Sequence, residues 1–241
     1  MAKAKREDFE PRFLSAIAHR GLHGNGVSEN SLEAFRLAIE NNIAFECDVH
    51  VSKDEKLIVC HDADLERVTG KKGYIPDLTS EQIRSDYRLK DGQVVPTIEE
   101  VLALNQERVP HVVEMKVDGG NSKLVASLTL KALEGVKNKK MFTIICFHPL
   151  ALMKAKKGGF TRGLLVCLEH PFWLRTLALF DYLDIDIRLL PNKKVEKYRR
   201  KGGLVNVWTV EKDEHLEFLK GKADMITFQH LPIDEVKKTI L

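Results

Sequence analysis

Short apolar runs alternate with amphipathic stretches along most of the chain, which predicts strands followed by helices. The first strand is predicted from Phe13 to Ala18, where an apolar run ends at His19. Apolar residues at helical spacing from Leu32 to Ile39 predict a helix behind it. Another helix is predicted after Thr97, and a strand from His111 to Lys116. The later predicted helices are Ser122 to Leu133, Leu150 to Lys157, Pro171 to Leu179, Lys193 to Lys201, Asp213 to Leu219 and Pro232 to Ile240, and the later predicted strands are Phe142 to Cys146, Leu164 to Leu168, Asp181 to Ile185, Leu204 to Thr209 and Met225 to Phe228.

Strands that alternate with helices through short loops predict a parallel sheet covered by helices. The number of units favours an α/β fold of the closed TIM (β/α)8 barrel type over an open, doubly wound sheet. The missing G-x-G-x-x-G and P-loop motifs agree with this choice. Such barrels run to about 200–250 residues, so the chain of 241 residues fits one domain, 1–241. Between residues 63 and 96, glycines and prolines break the periodicity and predict a small insertion, with at most a short helix from Thr79 to Asp86.

Acids and imidazoles concentrate in one short stretch that follows the first predicted helix. Alternation along an extended strand places Glu46, Asp48 and His50 on one face. A polar turn and a second apolar run, Leu57 to Cys60, predict a hairpin that brings His61 close to the two acids. Neighbouring carboxylates repel one another unless a cation lies between them, and Mg²⁺ or Ca²⁺ prefers such oxygens. The alternative is an edge hairpin whose polar face is simply solvated.

Further polar side chains are expected at the carboxyl ends of other strands, where barrel enzymes gather their functional groups. Arginine and lysine suit phosphate, and two histidines can divide general base and general acid duties. With three carboxylates for a hard cation, the set is suited to metal-assisted phosphodiester cleavage. Singly, a histidine after a strand is more often a capping group, a Glu–Lys pair is often a surface pair, and a tryptophan is most often packing. The residues concerned are His19, Arg20, Glu114, Lys116 and Trp208.

Composition and charge narrow the class of protein. Hydrophobic residues make up 44% and charged residues 30%, which is ordinary for a soluble globular chain. The net charge of +3 is scattered, so it does not support a nucleic-acid surface, although a local basic pocket for a phosphorylated substrate stays open. No apolar run approaches the roughly 20 residues of a membrane span, and a cytoplasmic location is expected. The four cysteines lack C-x-x-C spacing, which favours buried free thiols over a zinc site: Cys47, Cys60, Cys146 and Cys167.

Six short motifs occur in one order along the chain. They are Ala18-His19-Arg20-Gly21; Glu29-Asn30-Ser31 with Ala34-Phe35; Glu46-x-Asp48-Val49; His61-Asp62 with Leu65-x-Arg67; Glu114-Met115-Lys116; and Val207-Trp208-Thr209-Val210. In this order they resemble the glycerophosphodiester phosphodiesterase family. The resemblance implies a phospholipase-like TIM barrel and hydrolysis of glycerophosphodiesters to sn-glycerol 3-phosphate and an alcohol.

The resemblance also implies a role for each matching residue. Glu46, Asp48 and Glu114 would ligate Mg²⁺ or Ca²⁺, and His19 and His61 would form the acid–base pair. Arg20 and Lys116 would hold the phosphate, Glu29 and Asn30 would support the site from the first loop, and Trp208 would line the glycerol pocket. The sequence departs from the family pattern at Ser28, where proline is usual, at Glu55, where a turn glycine is usual, and at Val68-Thr69, which replaces a Thr-Thr pair.

Two other functions remain as alternatives. A lysophospholipase D-like enzyme on the same barrel would need an apolar groove or a membrane-binding helix, which Phe172-Trp173-Leu174 could supply, although a helix packed on the barrel explains the same residues. A non-catalytic protein that binds a phosphorylated metabolite is favoured less, because neither the acidic triad nor the histidine pair is incomplete. The choice between Mg²⁺ and Ca²⁺ and the identity of the alcohol are open at this point.

Overall fold

Eight parallel strands close into a barrel in the part of the chain that the computed structural model describes, residues 4–169 and 179–240. The first strand pairs with both the second and the last, which closes the sheet. A further strand, β3, pairs antiparallel with β2 alone and forms the predicted hairpin. The TIM-barrel prediction is therefore confirmed. The strands are β1 Ala16–Ala18, β2 Ala44–Val51, β3 Leu57–Val59, β4 His111–Met115, β5 Phe142–Cys146, β6 Thr161–Val166, β7 Tyr182–Asp186, β8 Val205–Val210 and β9 Met225–Phe228.

Helices cover the outside of the barrel, and some of them start at residues whose side chains cap them. The Ser31 side chain accepts a hydrogen bond from the backbone N–H of Ala34 at the start of α1, and Thr97 forms a capping box with Glu100 at the start of α4. Apolar side chains on their inner faces, such as Phe35, pack against the strands. The helices are α1 Leu32–Glu40, α2 Glu66–Thr69, α3 Ser80–Asp86, α4 Ile98–Asn105, α5 Ser122–Ala132, α6 Pro149–Ala155, α7 Lys193–Arg200, α8 Asp213–Leu219 and α9 Ile233–Ile240.

The segment between β3 and α4 has an apolar cluster of its own. Leu65, Ile75, Ile83 and Tyr87 are buried there against Ile58 of β3. The segment carries the short helix α3, with Thr79 as its N-cap, where the sequence predicted one. Because this cluster packs on the hairpin, it braces the strand that leads to His61.

The amino-terminal residues close the end of the barrel opposite the strands' carboxyl termini. Phe9 and Phe13 pack edge-to-face and join a buried cluster with Ile17 and Tyr182 inside the barrel. Phe13 ends a 3-10 helix, Pro11–Phe13, so the prediction that the first strand starts at this residue is wrong. Pro11 fixes the backbone angle that suits a helical start, and the strand begins only at Ala16.

Strand β6 begins three residues earlier than predicted and ends two residues earlier. Arg162 is part of this strand and is nearly fully buried, which the apolar pattern could not show. Its guanidinium is paired with Asp181 and donates to the carbonyl of Leu152, which offsets the penalty for burying a charge. Leu168, the predicted last residue of this strand, is exposed.

Three further predictions concern helices, membrane spans and thiols. The predicted helix from Pro171 and the apolar residues Phe172, Trp173 and Leu174 fall on 170–178, outside the described residues. Among the helices of the described ranges, none has the length and apolar character needed to cross a membrane. Cys167 is partly exposed, contrary to expectation, while the remaining cysteines are buried: Cys47, Cys60 and Cys146.

Candidate active site

Three carboxylates meet inside the barrel because of the register of two neighbouring strands. Asp48 of β2 lies directly opposite Glu114 of β4, and Glu46 is two residues earlier on the same face of β2. One oxygen of each residue lies within 4.8 Å of the others, and all three side chains are buried. The sequence placed Glu46 and Asp48 together, and the structure brings the third acid to them.

Lys116 lies against this triad, at the end of β4. Its Nζ donates a hydrogen bond to Glu114 Oε1 at 2.5 Å. The same Nζ forms an ion pair with Asp48 Oδ1 at 2.8 Å. Burial by itself would raise the pKa of Asp48. The positive charges of Lys116 and Arg20 outweigh this effect and hold the pKa of that carboxyl below its usual range. Burial raises the pKa of Glu114 to about 7, against the pull of Lys116. The surface-pair interpretation of Glu114 and Lys116 is therefore wrong.

The donor set fits a divalent metal ion. Glu46 Oε1 is buried and has no hydrogen-bond donor among the described residues, whereas Asp48 Oδ1 is paired with the Lys116 ammonium. Burial, followed by the charges of Asp48 and Glu114, raises the pKa of Glu46 well above its usual value. Unpaired, buried carboxylate oxygens are costly in a folded protein unless a cation satisfies them. An all-oxygen cluster of this kind suits Mg²⁺ or Ca²⁺.

Arg20 ties the first loop to the acidic triad. Its backbone N–H donates to Glu46 Oε2 at 3.0 Å, and its guanidinium donates to Glu29 at 2.9 Å and lies 3.5 Å from Asp48. Asn30 donates from Nδ2 to Asp48 at 2.8 Å. Both loop residues have positive φ angles, 56° for Arg20 and 53° for Asn30, so the chain turns sharply there. Glu29 and Asn30 thus act on other side chains of the site.

A chain of ion pairs leads from the first loop to His61. Glu29 accepts from Arg67 as well as from Arg20, and Arg67 also donates to Asp62. Asp62 Oδ1 lies 2.7 Å from His61 Nδ1. Since a carboxylate can only accept, this contact keeps a proton on His61 Nδ1 and leaves Nε2 for the reaction.

His19 has a different partner. Its Nδ1 lies 2.6 Å from the side-chain oxygen of Gln229, and Gln229 donates from its amide nitrogen to Glu211. Burial, and then the nearby charge of Arg20, lowers the pKa of His19 to about 3. Burial also lowers the pKa of His61, with Lys116 contributing. Both imidazoles therefore favour the neutral form that can accept a proton.

These groups surround one cavity of about 130 Å³ at the carboxyl ends of the strands. Asp48 is fully buried and is not among the lining residues. Trp208 stands edge-on to Phe147, with ring centroids 5.7 Å apart, and the two form an apolar wall. The cavity is lined by His19, Arg20, Glu46, His61, Glu114, Lys116, Ile145, Phe147, Leu165, Asp184, Trp208, Thr209 and Thr227.

Comparison with known proteins decides the family. Residues 19–157 match the model of the glycerophosphoryl diester phosphodiesterase family, which is more than half of the chain. The chain belongs to this family. It is 30% identical over 226 residues to a glycerophosphodiester phosphodiesterase of Caldanaerobacter subterraneus subsp. tengcongensis, covering 87% of this chain and 91% of the relative. The prediction of an enzyme of this family, made from the six motifs, is confirmed.

Solved structures show the same fold. A glycerophosphodiester phosphodiesterase from Parabacteroides distasonis superposes with a TM-score of 0.78 at 25% identity, covering 94% of this chain and 96% of that one. An Oleispira antarctica phosphodiesterase, solved with the product sn-glycerol-3-phosphate, superposes with a TM-score of 0.80 at 22% identity, covering 94% of both chains. Both structures therefore share the barrel fold of this chain over nearly its full length.

Sequence reasoning missed several polar residues at or near the cavity, of which Asp184 and Thr227 line it. Asp184, Asn206 and Thr227 form a hydrogen-bonded group in which the Asn206 amide nitrogen donates to Asp184 at 2.7 Å and to Thr227 at 2.8 Å. Burial raises the pKa of Asp184 to about 8. Gln229, which contacts His19, was also missed. Each lies in or directly after a strand of mostly apolar residues, and the sequence alone does not show which of its polar side chains point into the barrel.

Proposed function

We propose that this enzyme hydrolyses glycerophosphodiesters to sn-glycerol 3-phosphate and an alcohol in a reaction that depends on a divalent cation. The observation that carries the proposal is the buried triad of Glu46, Asp48 and Glu114, two of whose members, Glu46 and Glu114, line one cavity with two histidines, an arginine and a lysine. Membership of the family supports the reaction class. The product found with the Oleispira antarctica neighbour is the one proposed here.

Mg²⁺ or Ca²⁺ would be held by the three carboxylates and would withdraw negative charge from a phosphate oxygen. Arg20 and Lys116 line the same cavity and carry the positive charge that binds the phosphodiester, Arg20 through a planar fork and Lys116 as a point charge. Because both cations are anchored on the triad, phosphate bound by them is held next to its carboxylates.

His19 and His61 would move the protons. One neutral imidazole takes a proton at Nε2 from the attacking water as its oxygen bonds to phosphorus. The other first takes up a proton at Nε2 from solvent and then gives it to the alcohol oxygen as the phosphorus–oxygen bond to it breaks. Their Nδ1 atoms are held by Gln229 and Asp62, so Nε2 is the atom that exchanges the proton in each ring.

Trp208 with Phe147 would bind the carbon face of the glycerol unit, since the two rings form the apolar side of the cavity. Glu29 would hold Arg20, and Asn30 would hold Asp48. Both residues would thus support the site from the first loop. A single domain, 1–241 with an insertion at 63–96, and a cytoplasmic location remain predictions.

The test is release of sn-glycerol 3-phosphate from glycerophosphocholine by purified, chelator-stripped enzyme, before and after addition of Mg²⁺ or Ca²⁺. We expect activity only after a cation is added. Glu46→Gln should be inactive with either ion, and the control Glu214→Gln, at an exposed carboxylate on α8, should match the wild type.

Two results would count against the proposal. Full activity of stripped enzyme in excess chelator would overturn the cation dependence. If the enzyme hydrolyses lysophosphatidylcholine and not glycerophosphocholine, its substrate is a lysophospholipid. This result would favour the lysophospholipase D-like alternative.

A further inference from the structure

His50 lies on β2, one of the two strands of the hairpin that leads to His61, and both of its ring nitrogens have a contact. Its Nδ1 is 2.6 Å from Asp118 Oδ2, and its Nε2 is 3.0 Å from the backbone oxygen of His61. Only 3% of His50 is exposed, so the ring itself is shielded from water. The sequence gives His50 no partner, and the reaction proposed above does not use it.

Both partners of His50 are hydrogen-bond acceptors. The carboxylate of Asp118 and the backbone oxygen of His61 each face one ring nitrogen of His50. The 2.6 Å separation from Asp118 is that of a short hydrogen bond. A planar ring fixed at two opposite atoms cannot rotate without breaking one of them. His50 is therefore a rigid link between its two partners.

The link joins three segments that carry parts of the active site. His50 is on β2, two residues after Asp48, and Asp118 is two residues after Lys116, beyond the end of β4. The paired part of the hairpin ends before His61, and the last backbone contact is from the Cys60 N–H to the Asp48 carbonyl at 3.1 Å. The His61 backbone lies just beyond this last hydrogen bond of the hairpin, and the contact with His50 holds it there.

We propose that the Asp118–His50 pair positions His61 relative to the phosphate-binding and metal-binding strands. This inference rests on the proposed catalytic role of His61. Proton transfer needs donor and acceptor about 2.6–3.2 Å apart, and a displacement of about 1 Å can reduce the rate about 100-fold. His50 fixes the backbone of His61, while Asp62 fixes its ring, so the two contacts together define where Nε2 lies. His50 is a positioning residue, since it acts through His61.

The test compares His50→Phe, which keeps a ring of similar size but cannot donate, with His50→Gln, which can donate to one partner. We expect kcat to fall about 10–100-fold in His50→Phe and less in His50→Gln. KM and the Mg²⁺ dissociation constant should stay within about threefold of wild type. Asp118→Ala should lower kcat in the same way, and the double variant should lose little more, because the pair acts as one unit.

The matched control is His111→Phe. His111 is equally buried on the same pair of strands, at the other end of the barrel, where it contacts Cys47 and two phenylalanine rings. This variant should change stability and leave kcat within about twofold of wild type. A similar loss of kcat in His111→Phe and His50→Phe would show a general packing effect and overturn the proposal.

Hydrogen–deuterium exchange provides a readout that does not depend on activity. Amide exchange at residues 60–62 should become faster in His50→Phe and in Asp118→Ala, and stay unchanged in His111→Phe. If wild-type enzyme fails to hydrolyse glycerophosphocholine, the proposed function fails, and exchange alone decides the link. Unchanged exchange at 60–62 in folded His50→Phe, or in His50→Gln where the former does not fold, overturns it. So does a kcat within threefold of wild type.

Discussion

The side-chain oxygen of Gln229 lies 2.6 Å from Nδ1 of His19, on the loop that follows the last strand of the barrel. An amide oxygen only accepts, so the proton of His19 stays on Nδ1. The equivalent nitrogen of His61 faces the carboxylate of Asp62 instead. The two histidines thus share a tautomer but are held by partners of different charge.

Gln229→Leu should lower kcat about tenfold with little change in cation binding, because His19 loses the acceptor that sets its orientation. The loss is expected to be smaller than for removal of the imidazole itself, whose general acid–base contribution is about 10²–10⁴-fold. Steady-state kinetics with glycerophosphocholine would measure it, and Gln82→Leu, at a glutamine in the segment between β3 and α4, serves as control. An unchanged kcat would show that Gln229 does not matter to His19.

Glu46→Gln should abolish cation-dependent activity without destabilising the cation-free fold. The wild-type carboxylate is buried with an unpaired oxygen beside two other acids, so removing its charge relieves repulsion. Melting temperature measured with and without Mg²⁺ or Ca²⁺ separates the effects, since a cation that binds only the folded state raises it in wild type alone. Equal stabilisation of the variant by the cation would remove Glu46 from the ligand set.

His61→Ala should lose turnover by about 10²–10⁴-fold while still binding the cation. The side chain lines the cavity but is not one of the three carboxylates of the triad. Isothermal titration with Mg²⁺ and single-turnover kinetics would measure the two properties separately. Retained turnover would exclude His61 from the acid–base pair.

His111 should make the fold less stable as the pH falls. Burial lowers its pKa to about 3, against about 6.5 in an unfolded chain, so only the unfolded chain takes up a proton between these values. Stability from this residue is thus fully present above about pH 6.5 and is lost as the pH falls toward 3. Between pH 7 and pH 5 the loss is on the order of 2 kcal/mol.

Urea unfolding at several pH values would detect the effect of His111. The His111→Phe variant cannot take up this proton, so its unfolding free energy should fall less steeply over the same range. Identical slopes for the two proteins would contradict the prediction.

Gly21→Ala should destabilise the fold and reduce activity. The φ angle of Gly21 is 77°, and an added Cβ would lie 2.8 Å from Ala34 Cβ. The left-handed backbone alone costs about 1–2 kcal/mol, and the contact with helix α1 adds to it and displaces His19 and Arg20. Gly26→Ala is a matched control, with a φ of 89° and nothing within 4 Å of the added carbon. The two variants should differ in thermal stability and in kcat; equal effects would mean that close packing at Gly21 is unimportant.

The strands of the barrel were predicted well where nearly all of their side chains are apolar. β5 and β9 have the predicted bounds, because the only polar residue in each is a threonine, which is itself common in strands. The start of β6 was wrong because Arg162 is charged in sequence and neutralised only by Asp181, nineteen residues later. Local pattern cannot show such a partner.

The sequence by itself determined the type of fold and the place of the first two acids. Alternation in β2 puts Glu46 and Asp48 on one face wherever that strand lies, since side-chain direction in a strand is a local property. Only the tertiary structure decided that Glu114 faces Asp48, that Gln229 reaches His19 and that His50 links Asp118 to His61. These contacts depend on the register between strands and on closure of the barrel, which distant parts of the chain settle together.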